Sequence, residues 1–191
     1  MPNVERSVEP NQESRFEEAL RTYGAALERL ARAYEAEADT RRELLQEIFI
    51  ALWRSLEGFD GRCSLRTWVY RVAHNTAATH VTRQLRMKRQ AFVALEDVPE
   101  PADQAEGEEA AGHRDEIALL YALIEQLKPL DRQVMVAYLE GMDAASTAEI
   151  TGLSARNVAT KIHRIKHILA RRFQSRAAGA AGPGEGDRDE R

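Results

Sequence analysis

Five polar side chains near the C-terminus are of the types that contact nucleic acid. In SARNVATKIHRIKHILARRF, residues 154–173, they fall on one side of a predicted helix, and apolar residues fall on the other. Arginine and asparagine can form paired hydrogen bonds to base edges, while lysine and arginine also suit phosphates. The five are Arg156, Asn157, Thr160, Lys161 and Arg164, and the apolar set is Val158, Ile162, Ile165 and Leu169. This pattern predicts a helix that enters the major groove of DNA.

The elements before this helix predict how it is positioned. A short helix over residues 144–151 is followed by Gly152, Leu153 and Ser154. Glycine permits the positive φ of a sharp turn, leucine can fill the space between two helices, and serine can cap the second one. These features predict a helix-turn-helix, and the alternative is a helical hairpin with a basic solvent face.

A second basic segment lies far from the first. Residues 61–91 and residues 154–176 each contain seven Lys or Arg and no acidic residue, although the chain has a formal net charge of −4. In FDGRCSLRTWVYRVAHNTAATHVTR aromatic residues alternate with cations, a combination that suits unstacked bases. For Trp68, periodicity alone favours a simple core position. The two segments predict two contacts with a polyanion, against the alternative of two solvated helix faces.

Periodicity divides the chain into helical units. The first predicted helix covers residues 14–37. The second follows a capping box formed by Thr40 and Glu43 and ends at residue 56. The third covers residues 65–90, with Ser64 as its cap. On the last of these, Tyr70 and His74 are predicted on the polar side. Shorter helices follow, near 117–127, before Gly141, and in the helix-turn-helix.

The predicted fold class is all-α, with two small helical domains joined by an acidic linker and a helix-turn-helix in the second domain. The predicted bounds are 14–91 for the first domain, 92–114 for the flexible linker and 115–175 for the second domain, with residues 1–13 and 176–191 disordered. We also hypothesise that the acidic linker covers the DNA-binding faces.

Composition excludes several other classes. The longest apolar run, residues 117–124, is too short to span a membrane, and the N-terminus lacks the apolar core of a signal peptide. A single cysteine, Cys63, excludes an internal disulfide. His163 and His167 are four residues apart, but no third ligand follows a recognisable spacing, so no metal site is predicted. With no nucleophile–base pair or phosphate loop, we predict a cytoplasmic protein that is not an enzyme and has no cofactor.

Two longer stretches resemble a known family. ELLQEIFIALWRSLEGFDGRCSLRTWVYRVAHNTA is similar to region 2 of bacterial sigma factors of the extracytoplasmic-function type, and LKPLDRQVMVAYLEGMDAASTAEITGLSARNVATKIHRI is similar to their region 4. The resemblance covers roughly residues 15–90 and 115–173, with no region 3 between them. It implies a promoter-specificity subunit that binds core RNA polymerase and promoter DNA, with an anti-sigma factor as a possible further partner.

By matching position, the resemblance implies three groups of contact residues. The polymerase group is Glu43, Gln46, Glu47 and Phe49. The group for the promoter −10 element lies in the loop of residues 59–64 and on the helix after it, and comprises Phe59, Ser64, Trp68, Arg71, Asn75 and Thr79. The group for the −35 element is the basic set first described, Arg156, Asn157, Thr160, Lys161 and Arg164.

Some features leave alternatives open. Arg41 and Arg42 stand where the family often has acidic residues, which predicts reduced polymerase affinity. One hypothesis is that phosphorylation of Thr40 restores the negative charge, against a plain N-cap. A redox role for Cys63 stands against an inert small side chain. The alternative function is a helix-turn-helix regulator that acts without replacing the specificity subunit, which leaves the basic segment of residues 61–91 unused.

Overall fold

The computed structural model describes residues 11–92 and 110–180, with side chains over residues 11–87 and 116–174. These residues form helices and no strand, which confirms the all-α prediction. In chain order the helices are α1 (Gln12–Tyr34), α2 (Ala38–Leu56), α3 (Leu65–Phe92), α4 (Ala110–Glu125), α5 (Pro129–Leu139), α6 (Ala144–Thr151) and α7 (Ala155–Ala180).

Helices α1 to α3 pack against one another and form the N-terminal bundle. Asn11 caps α1 by accepting from the Ser14 amide at 2.8 Å, and the Ser64 hydroxyl accepts from the Thr67 amide at 3.0 Å at the start of α3. The predicted Ser64 cap is therefore confirmed. The bundle buries apolar residues at helical spacing on all three helices, including Leu27, Leu30, Leu44, Ile48, Leu52, Leu56 and Val69.

Helices α4 to α7 form the C-terminal bundle. Pro129 occupies the first turn of α5, where its missing N–H costs nothing, and Asp143 caps α6 by accepting from the Ser146 amide at 2.7 Å. Gly152 ends α6 with φ 72° in the left-handed region. The predicted turn between α6 and α7 is thus confirmed, since glycine takes this conformation without a steric penalty.

The predicted cap at Thr40 is wrong. The N-cap of α2 is Glu37, three residues before Thr40, and the helix begins at Ala38, because the Glu37 carboxylate accepts from the amides of Asp39 at 2.9 Å and Thr40 at 2.6 Å. The Thr40 hydroxyl donates to the same carboxylate at 2.5 Å. These bonds lower the pKa of Glu37 to about 2, with the Thr40 hydroxyl as the largest contributor.

The predicted polar side of α3 is also partly wrong. Tyr70 and His74 are 1% exposed, because α3 is covered by α1 and also by α5 and α6 of the C-terminal bundle. The Tyr34 hydroxyl lies 3.0 Å from Nδ1 of His74, and burial lowers the pKa of His74 to about 3. His74 packs against α1, and the Tyr70 hydroxyl contacts Glu140 of the C-terminal bundle; periodicity within one helix reports neither contact.

Helix ends differ from several predicted boundaries. Residues 12–13 are helical rather than part of a disordered N-terminus, α4 begins at Ala110 inside the predicted linker, and α7 continues to Ala180. The rest of the predicted linker and the rest of both predicted disordered termini lie outside the described residues, as does the hypothesis that the linker covers the DNA-binding faces.

Candidate nucleic-acid interface

The N-terminal half of α7 presents the first basic surface. Ser154 caps this helix by accepting from the Asn157 amide at 3.3 Å. Val158 and Ile165 are fully buried and fix the rotation of the helix. Arg156, Asn157 and Thr160 are exposed on the opposite side. The structure therefore brings the predicted residues together on one face.

A carboxylate from another helix binds two residues of this face. Asp131 on α5 contacts Nζ of Lys161 at 2.5 Å and the guanidinium of Arg164 at 3.2 Å. The Asp131 side chain is only 14% exposed. Sequence reasoning missed it, because the partners are 30 and 33 residues away along the chain.

The predicted loop of residues 59–64 leads into α3. The rings of Phe59 and Trp68 meet edge to face with their centroids 5.4 Å apart, and the Trp68 indole N–H donates to the Ser55 hydroxyl at 3.0 Å. Both side chains are half-buried, and Ser64 is exposed. Trp68 thus supports the loop by packing, as its periodicity suggested.

Beyond this loop, α3 has an exposed polar side. Asn75 and Thr79 are exposed one turn apart, and the Thr79 hydroxyl donates to the Asn75 carbonyl at 2.9 Å. A shallow groove of about 410 Å³ extends this surface with Thr82, Arg83 and Arg86. These three residues extend the exposed polar surface, and two of them are cations of the type suited to phosphate.

Arg71 lies apart from that exposed surface. Its Nη2 donates to the carbonyl oxygen of Glu149 in α6, at 2.9 Å. Arg66 and Tyr70, on the same part of α3, contact Glu140 at the end of α5. The C-terminal bundle therefore occupies this part of the predicted −10 surface.

The predicted polymerase residues are divided between two environments. Glu43 and Gln46 are exposed, whereas Glu47 contacts Nδ1 of buried His80 at 3.2 Å and the guanidinium of Arg83. Partial burial raises the pKa of Glu47, but the hydrogen bonds from Arg83 and His80 outweigh it and hold the pKa below its ordinary value. Glu47 thus joins α2 to α3.

Phe49 belongs to an apolar patch that sequence reasoning did not single out. It lines a shallow depression of about 560 Å³ with Phe16, Ile50 and Trp53. Ile50 is 51% exposed and Trp53 is 40% exposed. Adjacent large apolar side chains on a surface are typical of a protein-binding site.

The C-terminal bundle has a groove of about 700 Å³ between α7 and the start of α6. Met142 and Ile162 line it, and the rings of His163 and His167 lie at its edge with centroids 4.6 Å apart. Within the described side chains, no group of three or more His, Cys, Asp or Glu could hold a metal ion. None of the described helices is long and apolar enough to cross a membrane.

Comparison with known proteins matches both bundles to one class. The Sigma-70 region 2 family matches residues 19–87, and the Sigma-70 region 4 family matches residues 117–168. Together the two matches cover most of the chain in the order found in sigma factors. The chain belongs to the sigma-70 family of promoter-specific transcription initiation factors. Within it, the chain is an RNA polymerase sigma factor of the extracytoplasmic-function type.

Individual relatives agree with this assignment. The sigma-E factor of Haemophilus influenzae is 28% identical over 69% of this chain and 74% of its own length. The sigma factor NccH of Alcaligenes xylosoxydans is 27% identical over 84% and 87%.

Two solved structures share the fold. CnrH in complex with the cytosolic domain of CnrY has a TM-score of 0.60 and 22% identity, with 86% of this chain and 90% of that one covered. RpoE in complex with the anti-sigma factor NepR from Bartonella quintana has a TM-score of 0.63 and 15% identity, with 84% and 96% covered.

Proposed function

We propose that the two basic surfaces read the two elements of one promoter while the chain is bound to core RNA polymerase. The observation that carries this proposal is that one chain holds exposed cationic and amide side chains on two separate helices, α3 and α7. The chain performs no catalysis of its own and acts in the cytoplasm, where the polymerase and the chromosome are. Its two domains are the N-terminal bundle, from Gln12 to Phe92, and the C-terminal bundle, from Ala110 to Ala180.

The α7 surface reads the −35 element. Arg156 and Asn157 are exposed at the end of the helix that enters the groove, and both can form paired hydrogen bonds to base edges. Thr160 and Arg164 follow on the same face. Lys161 and Arg164, which Asp131 holds in place, contact phosphates.

The N-terminal bundle recognises and opens the −10 element. Asn75 and Thr79 face the strand that unpairs, and Arg83 and Arg86 extend the surface along the phosphates. Phe59 and Ser64 belong to the loop that captures a base turned out of the duplex, with Trp68 behind it and Arg71 beside it. Unstacking a base costs a few kcal/mol, which contacts in the loop offset.

Core polymerase binds the α2 side of the N-terminal bundle. Glu43 and Gln46 supply polar contacts, and Glu47 acts mainly by holding the neighbouring helix. Phe49 forms an apolar contact with Ile50 and Trp53. Apolar area of this kind contributes roughly 25 cal/mol per Å² when it leaves water.

An anti-sigma factor is a further proposed partner. The solved complexes of CnrH with CnrY and of RpoE with NepR motivate it. On this chain the groove beside Met142 and Ile162 is suited to an amphipathic helix, because it is apolar at its base and bordered by charged groups.

Copurification with core polymerase separates this function from that of a helix-turn-helix regulator. The full chain and core RNA polymerase are mixed and applied to a size-exclusion column at moderate salt. A sigma factor elutes with the core enzyme, and the complex weakens when Ile50 is changed to serine. A conventional regulator elutes separately, which would contradict the proposal.

A further inference from the structure

A set of polar contacts between the two bundles meets at Glu140, where α5 ends. The Glu140 carboxylate accepts from Nε and Nη2 of Arg29, each at 2.7 Å, and from the Tyr70 hydroxyl at 3.2 Å. The Glu140 side chain is 10% exposed, and its hydrogen bond to Arg29 raises the pKa of that guanidinium. A paired arginine–carboxylate contact is strong and fixes the geometry of both partners.

Backbone oxygens of the C-terminal bundle add to this contact. The Arg66 guanidinium donates to the carbonyl of Glu140 and lies over the Tyr70 ring, 5.9 Å from its centroid. Arg71 donates to the carbonyl of Glu149 at 2.9 Å. Three arginines of the N-terminal bundle, Arg29, Arg66 and Arg71, are therefore bound to oxygens of the C-terminal bundle.

Gly141 allows the chain to turn at this point. Its φ is 70°, in the region that favours glycine, and a Cβ added there would lie 4.0 Å from Nη2 of Arg66. The turn presents the carboxylate and the carbonyl of Glu140 to the same surface of α1 and α3.

This surface overlaps the one proposed for the −10 element. Arg71 is a proposed DNA contact, and Arg66 and Tyr70 neighbour it on α3. The carbonyl oxygens of Glu140 and Glu149 bind the guanidinium groups of Arg66 and Arg71, which also suit a DNA phosphate, so the C-terminal bundle and DNA are alternative ligands of these groups. The two ligands cannot use this surface together.

We propose that Glu140 and Arg29 form a latch that holds the free chain closed, so that the C-terminal bundle competes with promoter DNA for Arg66, Tyr70 and Arg71. This inference rests on the proposed function of that surface. Core polymerase opens the latch by binding both bundles in separated positions, which exposes the three side chains and removes the Glu140 charge from the DNA face. Our hypothesis from the sequence was that the acidic linker covers the DNA-binding faces. In this proposal Glu140 covers the face on α3 instead.

The latch has a measurable effect on DNA binding by the free chain. When the open state that can bind DNA is only a small fraction of the free chain, the apparent affinity for DNA is reduced in proportion to that fraction. Loss of a hydrogen bond to a charged group shifts such an equilibrium by about tenfold or more. Opening the latch should therefore raise the affinity of the free chain for single-stranded DNA by about tenfold or more.

Distances between spin labels test the closed state directly. In a Cys63→Ser background, shown first to support transcription, labels are attached at Arg21→Cys on α1 and Ala170→Cys on α7, both exposed positions. Pulsed electron paramagnetic resonance of the free chain should give one short distance, which lengthens when core polymerase is added. A free chain that already shows the longer distance overturns the latch, whatever any variant does.

Three substitutions then test its chemistry. Glu140→Gln and Arg29→Gln should each shift the free chain about tenfold toward the longer distance. Glu149→Gln is the matched control, because it removes an exposed carboxylate near the interface, where only the backbone carbonyl of Glu149 contacts Arg71. It should leave the distances unchanged, and short distances in both latch variants overturn the proposal.

Binding of a fluorescent random-sequence DNA strand of about 15 nucleotides separates the latch from simple electrostatics. Arg29→Gln removes a cation, so charge alone predicts weaker binding by the free chain, whereas the latch predicts tighter binding. Weaker binding by Arg29→Gln overturns the latch. If core-dependent transcription is normal but the label distances of the free latch variants equal those of the free unmodified chain, only the latch is contradicted. If the unmodified chain gives no core-dependent transcription, the proposed function is contradicted.

Discussion

Asp131 of α5 and Lys161 of α7 form an ion pair, with 2.5 Å between Oδ1 and Nζ. The same carboxylate contacts Arg164 at 3.2 Å, so two cations of the proposed −35 surface are joined by one acidic residue. The Asp131 side chain is 14% exposed and that of Lys161 is 25% exposed, which limits the range of positions that Lys161 can take. Asp131 thus fixes the positions of the Lys161 and Arg164 charges on the proposed −35 surface. It also neutralises part of that positive charge.

Asp131→Asn should therefore make DNA binding stronger and less selective. Each cation that is released and meets a phosphate adds about 0.9 to the slope of log affinity against log salt. We expect the holoenzyme to bind duplexes with and without a −35 element more similarly, with a steeper salt dependence. Fluorescence anisotropy over a salt series measures both. Glu149→Gln removes an exposed carboxylate elsewhere in the bundle and serves as the control, and a selectivity equal to that of the unmodified chain would contradict the positioning role.

Asn75→Ala should impair promoter opening. Asn75 is exposed on α3 and carries the amide that can bind an unpaired base edge. Loss of one such contact costs roughly 1 to 3 kcal/mol, or about fivefold to 150-fold in open-complex formation. Permanganate reactivity of thymines near the start site follows opening. A template that is already unpaired over this segment should restore most of the activity, and failure to do so would indicate a loss of folding rather than of opening.

Stability should fall in acid because of His74. Burial holds the pKa of folded His74 near 3, whereas the unfolded chain has the ordinary value of 6.5. The unfolded state therefore binds the extra proton as pH falls through 6.5, and stability is lost progressively between about 6.5 and 3.

Urea denaturation at pH 7 and pH 5 measures the effect of His74. The contribution of this residue should fall by about 2 kcal/mol between the two. His74→Gln should lack that part of the loss. An equal loss in the variant and the unmodified chain would show that other groups cause it.

Ile50→Ser should weaken binding to core polymerase without unfolding the chain. Ile50 is 51% exposed within the apolar patch, so its loss removes contact area but little core packing. An affinity reduced by about tenfold, or roughly 1.4 kcal/mol, is expected from surface plasmon resonance. Leu85→Ser is the control, since Leu85 is 58% exposed on α3. Equal losses for the two variants would show that the patch is not the binding site.

The sequence predicts most of what depends on local signals. Gly152 and Ser154 determine the turn into α7 through backbone freedom and capping, and both predictions are confirmed. The predicted cap of α2 was Thr40, but the helix is capped by Glu37, three residues earlier. The longer Glu37 side chain reaches two backbone amides and a hydroxyl.

What the sequence did not predict depends on contacts between distant elements. His74 is buried against Tyr34 of α1, and Tyr70 is buried where Glu140 at the end of α5 meets α3. Asp131 and Glu140 bind arginines and a lysine on other helices, and neither position has a local pattern that names its partner. The residue assignments on the three contact surfaces stay predictions, because they depend on DNA and polymerase.

Run-off transcription tests the central claim most directly. Core RNA polymerase is incubated with the purified chain and a library of genomic fragments from the source organism, with core enzyme alone and Arg156→Ala as comparisons. The unmodified chain should give discrete transcripts that core enzyme alone does not give, and Arg156→Ala should change which −35 sequences are used. A uniform loss on every fragment for Arg156→Ala would assign this side chain to a phosphate. Absence of any transcript that depends on the unmodified chain would contradict its action as a promoter-specificity subunit.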